Sequence, residues 1–490
     1  MSALNPAPVK NTTPYDILII GAGISGIGSA YWLQEKCPGK TYAILEARER
    51  IGGTWDLFRY PGIRSDSDMF TFGYRFKPWE NPQSLSDGES IRNYLKETAQ
   101  ENGIDPHIRF GHKVLSANWS GNEACWTLEV AHGNSTSLLK TRFLYMCAGY
   151  YSYEEGYRPS FDGEEAFKGT IVHPQFWPED LDYSGKRIAV IGSGATAVTL
   201  VPTLAEKAAH VTMVQRSPTY IMKLPNRNGL YIALRKWLPG RLAYRLTRWR
   251  NLTLTMALYG YSRMFPNGMK NLLMKGAASE LPEGYEVGKH FNPSYNPWDQ
   301  RLCVIPDGDL FRAIKTGKAD VATEEIAHFT STGIALKSGE ILEADIIVTA
   351  TGLKMKLLGG ARISIDGKPL DTHEVLVYKG MMMSGVPNFA IAFGYTNNSW
   401  TLKTDLTANL VCRILNYMDR KGYDVVVPEV PPDIQPEEFL PLDSGYMKRA
   451  KHLLPKNGSK RPWRVYQNYL MDMLLTRFGR VRDRHLAFDP

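Results

Sequence analysis

Cysteine is scarce in this 490-residue chain and nowhere paired: Cys37, Cys125, Cys147, Cys303 and Cys412 are widely spaced and form no CxxC motif. That argues against a redox dithiol, a zinc-ligand set or a disulfide framework, and therefore against a disulfide reductase. Long apolar runs are missing as well. No stretch of about 18 uninterrupted apolar residues occurs, and the first fourteen residues lack a basic region followed by an apolar one. Neither a spanning helix nor a secretory signal is expected, and a reducing cytoplasm is the expected location. Tandem repeats and low-complexity tracts are also absent, which sets solenoids and disordered arrays aside. One segment lacks acid: residues 217–279 hold eleven Lys or Arg and no Asp or Glu, although the net charge of the whole chain is only +8. The basicity is local and no nucleic-acid-reading module accompanies it, so nucleic acid is not an expected partner.

What is present is the composition of an ordinary folded protein, too long for one core, so two or three domains are expected. YDILII (15–20) is a short apolar run that stops abruptly at glycine, the pattern of a buried parallel strand entering a turn. A helix is expected from about Ser25 to Lys36, then TYAILE as a second parallel strand closing a βαβ unit on Glu46. The same grammar returns with RIAVI (187–191), GSGATA, a helix to about Lys207 and the strand HVTMVQR. FLYMCAGYY (143–151) and ADIIVTATG (344–352) read as buried strands crossing between domains. The expectation is an α/β protein with two Rossmann-like dinucleotide-binding domains. The first is discontinuous (1–150 and 350–490), and the second (151–349) is inserted in it and carries a helical insertion at about 217–295.

The glycine-rich turns carry the chemistry. In GAGISG, Gly21 makes the tight turn, Gly23 lets backbone approach a pyrophosphate, and Gly26 lets helix pack closely on strand. Glu46, at the end of the next strand, suits a ribose 2′-hydroxyl and repels a 2′-phosphate, which selects FAD or NAD. Gly52 and Gly53 in IGGTW offer a second close approach. In GSGATA, Gly192 and Gly194 repeat the first two roles and Ala197 takes the third place. Gln215 and Arg216 replace the acid at the strand end, and a guanidinium there pairs with a 2′-phosphate, which points to NADPH.

FKGTIVHPQFWP (167–178) fits FxGxxxHxxxWP through Phe167, Gly169, His173, Trp177 and Pro178. This element resembles the fingerprint of the type I Baeyer–Villiger monooxygenases. Ordinary flavin-containing monooxygenases have a similar element with a different ending. GGTW, RYPGIRSD (59–66), NPWDQRLCV (296–304), VTATG (348–352) and NNSWTLKTD (397–405) extend the resemblance over nearly the whole chain. GGTWDLFRYPGIRSDSD and NPWDQRLC are similar to the ethionamide-activating group of that family. The resemblance implies FAD held by Gly21, Gly23, Gly26, Glu46, Gly53, Thr54, Trp55 and Asp66, and NADPH held by Gly192, Ser193, Gly194, Ala195, Thr196, Arg216, Arg301 and Trp400. It implies insertion of one atom of O2 beside a ketone carbonyl to give an ester or lactone, with sulfides oxidised as well. Arg301 becomes the catalytic cation that stabilises negative charge beside the flavin, and Asp66 the carboxylate that holds its guanidinium. Asp56, Leu57 and Phe58 stand where the ketone oxidisers of the family carry aromatics, which bears on the substrate pocket. Gln300–Arg301 stands where they usually carry Lys-Arg, which bears on a 2′-phosphate contact. His173 titrates near neutrality, but the resemblance puts it on the linker between domains, where a hinge hydrogen bond is expected.

Two other functions fit the same architecture: a flavin-containing monooxygenase acting on sulfur or nitrogen, and a non-catalytic nucleotide-binding redox sensor. The basic segment 217–279, interleaved with Trp237, Tyr244, Trp249, Tyr259 and Phe265, also has two readings. One is a helical cover for the active site, its arginines solvated or drawing NADPH inward. The other is a peripheral surface that touches anionic membrane or partners.

Overall fold

The computed structural model describes residues 13–300, 302–439 and 445–490. YDILII becomes strand β1 (Tyr15–Ile20), its last four residues buried, as befits a strand covered on both faces. Helix α1 (Ile24–Lys36) follows and returns to β2 (Tyr42–Leu45), parallel to β1. An antiparallel meander comes next: β3 (His112–Ser120), β4 (Cys125–His132) and β5 (Ser135–Met146). Strand β5 serves both sheet types, because its start pairs with β4 while its apolar end, Phe143 to Met146, lies parallel to β1.

The chain leaves this sheet through β6 (Tyr151–Gly156) and enters a second one. That sheet is built from β7 (Thr170–Val172), β8 (Arg187–Ile191), β9 (His210–Gln215), β11 (Ala319–Thr323) and β12 (Ile346–Thr349). It is all parallel, in the spatial order β11-β9-β8-β12-β7. Helix α2 (Ala195–Leu204) connects β8 to β9. Strand β10 (Ile221–Leu224) and helices α3 (Gly229–Arg235), α4 (Gly240–Met264) and α5 (Pro266–Glu280) occupy the basic segment. Strand β13 (Leu353–Met355) pairs antiparallel with β6, so the outgoing and returning connections form one two-stranded ribbon. The chain then rejoins the first sheet at the strand Arg362–Ile365, parallel to β3, adds β14 (Phe389–Ile391), parallel to β5, and ends its main framework with helix α6 (Trp400–Lys421).

Helices α1 and α6 cover one face of the first sheet, with Ala30 and Leu33 in the same buried cluster as Leu410, Val411 and Ile414. The second core packs α2 on β8 and β9, and it admits Phe58 and Tyr60 from the FRYPG segment (58–62) of the first domain. Helix α4 is pinned to the first domain by Arg248, whose buried Nη1 donates to the carbonyls of Phe70 (2.8 Å), Thr71 (3.0 Å) and Gly73 (2.7 Å). Those carbonyls replace the water the guanidinium loses on burial.

Candidate active site

Helix α1 starts from Gly23, whose backbone is extended (φ −80°, ψ −172°), with no side-chain cap and no acid in its first turn. Its leading N–H groups are left for an anion. Gly21 has φ +107°, and a Cβ on it would lie 2.7 Å from the Cys147 carbonyl oxygen. A Cβ on Gly26 would lie only 1.9 Å from the Gly21 carbonyl oxygen, so the third glycine is a steric requirement of helix on strand. Glu46, 5% exposed, accepts from the backbone N–H of Ala22 (2.7 Å) and of Arg48 (2.9 Å). Burial pushes its carboxyl pKa up, and those two bonds oppose the push.

From this turn a cavity of about 500 Å³ runs to the start of α2. Gly21, Gly23, Glu46, Gly53, Thr54, Trp55 and Asp66 line one side, and Ala195 and Thr196 line the other. Trp400, expected at the second nucleotide, also lines it and donates Nε1 to Ser25 Oγ of α1 at 2.8 Å. Several lining residues escaped sequence reasoning. Arg48 keeps a buried Nη1 without a protein partner, and Tyr153, beside Glu46, has its hydroxyl pKa pushed up to about 12, mainly by burial. The orphaned donor, the uncapped helix and the cavity volume fit a bound dinucleotide.

The departure at 56–58 has a structural meaning. Asp56 does not line the cavity; it is fully buried under Arg59 (2.6 Å), Arg48 (2.9 Å) and Arg50 (3.4 Å). Phe58 does line it, while Leu57 packs on the second core. The RYPGIRSD loop joins the two domains. Tyr60, fully buried, meets Thr196, and a Cβ on Gly62 would sit 2.1 Å from Thr203 Oγ1. Arg64 pairs with Asp309 at 2.5 Å, at the start of the helix Asp309–Lys315.

The second turn repeats the first in backbone. Helix α2 starts from Gly194 at φ −81°, ψ −175°, again without a side-chain cap or an acid in its first turn. Its surroundings differ, for a Cβ on Gly194 would meet nothing within 4 Å. Ala197 is fully buried, and Ser193 Oγ bonds to the Ser217 carbonyl (3.1 Å) and Thr219 Oγ1 (2.8 Å). Gln215 turns inward, its Nε2 donating to the His290 carbonyl and to Thr323 Oγ1, both at 2.8 Å. Arg216, next along the chain, is exposed. Gly192, Ser193, Gly194 and Arg216 do not line the shared cavity, so the second nucleotide would enter it only past Ala195 and Thr196.

Arg301 lies outside the described residues. Just before it, Trp298 adopts φ +73°, sparsely populated for a bulky residue, and stands edge-on to Tyr259 of α4 with ring centres 5.5 Å apart. Asp299 pairs with Arg263 at 2.7 Å. In the 167–178 element, Phe167 is buried, and a Cβ on Gly169 would be 2.3 Å from the Asp345 carbonyl oxygen. Trp177 packs on the second core and Pro178 is exposed. His173 Nδ1 accepts from the Gln175 N–H at 3.2 Å, and its ring fills the space over Gly156 at the end of β6. Gln175 Nε2 in turn donates to the Ser152 carbonyl at 2.9 Å, which ties this element to the ribbon. Burial lowers the His173 pKa.

An uncapped glycine turn on a cavity that also reaches the start of a second such helix, α2, is the framework of a flavoprotein monooxygenase. Residues 15–248 match the family described as flavin-binding monooxygenase-like, and the chain belongs to that family. It is 55% identical over 479 residues to the FAD-containing monooxygenase EthA of Mycobacterium tuberculosis, covering 97% of this chain and 98% of the relative. It is 50% identical over 480 residues to the probable FAD-binding monooxygenase AlmA of Acinetobacter baylyi, covering 97% and 96%. Its fold is similar to that of oxidised steroid monooxygenase bound to NADP, with a TM-score of 0.77 and 21% identity, covering 97% and 100% of the two chains. Cyclohexanone monooxygenase with bound ε-caprolactone gives a TM-score of 0.74 at 19% identity, with the same coverage. The family resemblance and the two-Rossmann fold expected from the motifs are therefore shown.

Proposed function

We propose that the first turn holds FAD, the second holds NADPH, and the enzyme inserts one atom of O2 beside a ketone carbonyl to give an ester or lactone, oxidising sulfides at the same site. The observation that carries this is the shared cavity, with the first turn and Asp66 on one wall and the start of α2 on the other. In this reading residues 1–150 and 350–490 form the FAD portion and residues 151–349 the NADPH portion. The N–H groups at the start of α1 take the pyrophosphate, and Glu46 accepts from the ribose hydroxyls. Arg216, exposed at the open turn, takes the 2′-phosphate of NADPH. FAD, when bound, supplies the electron transfer and the activation of O2. Arg301 steadies negative charge on the substrate oxygen, Asp66 positions that guanidinium, and Trp400 and Tyr60 help to exclude water from the cavity. EthA and AlmA are named as FAD monooxygenases, and the lactone bound to cyclohexanone monooxygenase belongs to the product class proposed.

A cyclic ketone and a dialkyl sulfide offered in parallel to the purified protein test this reading. NADPH consumption should match ester plus sulfoxide formed. Sulfoxide without ester would assign the sulfur- or nitrogen-oxygenating alternative, and nucleotide binding without turnover the redox sensor. Arg301→Ala should keep FAD and lose about 10²- to 10³-fold in ester formation, the usual loss for one oxyanion stabiliser. Undiminished ketone oxidation by that variant would show that another group is the cation.

A further inference from the structure

Helix α4 shows apolar side chains on two opposite faces, whereas a surface helix ordinarily has one such stripe. The inner face is spent on the fold: Tyr244 and Leu252 are buried, and the Tyr244 hydroxyl donates to the Tyr74 carbonyl at 2.9 Å. The outer face meets solvent with Leu242, Leu246, Trp249 and Met264, which are 41%, 45%, 43% and 71% exposed. Leu242, Leu246 and Trp249 follow helical spacing and make one stripe about 10 Å long at 1.5 Å per residue, and Met264 returns to the same face past Thr253, Ala257 and Gly260. Covering the active site needs only the inner face, and the outer stripe is left without a role.

A second stripe lies beside it. Leu470, Leu474 and Phe478, four residues apart, are 38%, 58% and 69% exposed. Tyr469 stands edge-on to Trp249, and Leu252, Met256, Tyr469 and Met473 share one small cluster, so the two stripes are neighbours in space. The exposed charges carried by the two segments themselves, 240–264 and 469–480, are all basic. Arg241, Arg245, Arg250, Arg477 and Arg480 are exposed, and no acid occurs from 217 to 279. An exposed apolar patch of this kind marks an interaction surface.

We propose that this double stripe docks the protein on an anionic lipid membrane, with the apolar side chains entering the headgroup boundary and the arginines meeting lipid phosphates. Charge selects the occupant. A second copy packed face to face would set one arginine rim against another with no exposed carboxylate on either segment to answer it, whereas an anionic bilayer supplies the missing countercharge over a flat area. Trp249 and the long arginine stems suit the boundary between water and hydrocarbon. The docking does not depend on which substrate the cavity takes.

Cosedimentation of the FAD-loaded full-length protein with two vesicle types is the test: phosphatidylcholine alone, and equal parts of phosphatidylcholine and phosphatidylglycerol. The protein should pellet with the anionic vesicles at low salt, stay in solution with the neutral ones, and be released at about 1 M salt, where screening falls to about 3 Å. Leu246→Glu and Leu474→Glu should each weaken the association about tenfold, with flavin content and melting temperature unchanged. Three outcomes would overturn the proposal: protein left in the supernatant with anionic vesicles at low salt, both variants binding as tightly as the parent, or a parent dimer that Leu246→Glu dissolves. The last would make a second copy the occupant.

Discussion

The two glycine-rich turns share a backbone and differ in everything around it. Both helices leave an extended glycine at nearly the same φ and ψ, and neither is capped by a side chain. In the first turn the space is closed: Gly26 backs onto the Gly21 carbonyl, a Cβ on Gly23 would lie 3.6 Å from the Gly53 Cα, and Glu46 is buried. In the second, Gly194 stands in open space, Ala197 fits where a third glycine would be, and Arg216 is exposed. In the proposed reading, one backbone solution to phosphate binding serves two purposes. A walled site suits a cofactor that stays through many turnovers, and an open one suits a nucleotide that must arrive, react and leave.

Replacing the third residue of each turn should break the symmetry most visibly. Gly26→Ala drives a methyl into backbone, which we expect to cost about 3 kcal/mol or more and to yield little protein that retains flavin. Ala197→Gly should cost only about 1 kcal/mol and leave flavin bound. Melting temperature and flavin content per chain measure both, and similar losses at the two positions would erase the contrast.

The difference in residue types between the turns was legible in the sequence because each part of it is local: an apolar strand, glycines at fixed offsets, and an acid or an Arg at the next strand end. The closure of one turn and the openness of the other were not. What was not legible depends on distant partners. Phe58 and Tyr60 belong to the first domain in sequence but pack in the core of the second. Arg64 finds Asp309, and Trp400 finds Ser25, across hundreds of residues. Asp56 reads as an altered pocket residue and is instead the buried centre of an arginine cluster. The meander β3–β5 escaped as well, because only the buried end of β5 has the unbroken apolar run of a parallel strand. Helical periodicity in α4 gives no sign that one of its apolar faces is left outside.

A smaller effect sharpens the comparison at the second turn. Arg216→Ala should raise the KM for NADPH about tenfold and leave NADH almost untouched, since only NADPH carries the 2′-phosphate. Steady-state kinetics with both nucleotides decide it, and equal losses would move the phosphate site elsewhere.

The smallest expected effect lies in the ribbon that joins the turns. Glu154 of β6 pairs with Lys113 and Lys356, both at 2.9 Å, and those ammonium groups hold its carboxyl down at about 2. A depressed acid contributes stability above its ordinary value of 4.5 and loses that contribution as pH falls towards 2. Because the pair is half exposed, Glu154→Gln should lower stability by less than about 1 kcal/mol at neutral pH and flatten the acid limb of a melting-temperature series. An unchanged acid limb would remove the ribbon from the account.

The most direct test of two unlike turns serving one cavity is flavin reduction without oxygen. Desalted protein, mixed anaerobically with one equivalent of NADPH, should lose its oxidised-flavin absorbance in a single phase, much faster than with NADH. Flavin lost on desalting, or absorbance that NADPH leaves unchanged, would contradict it.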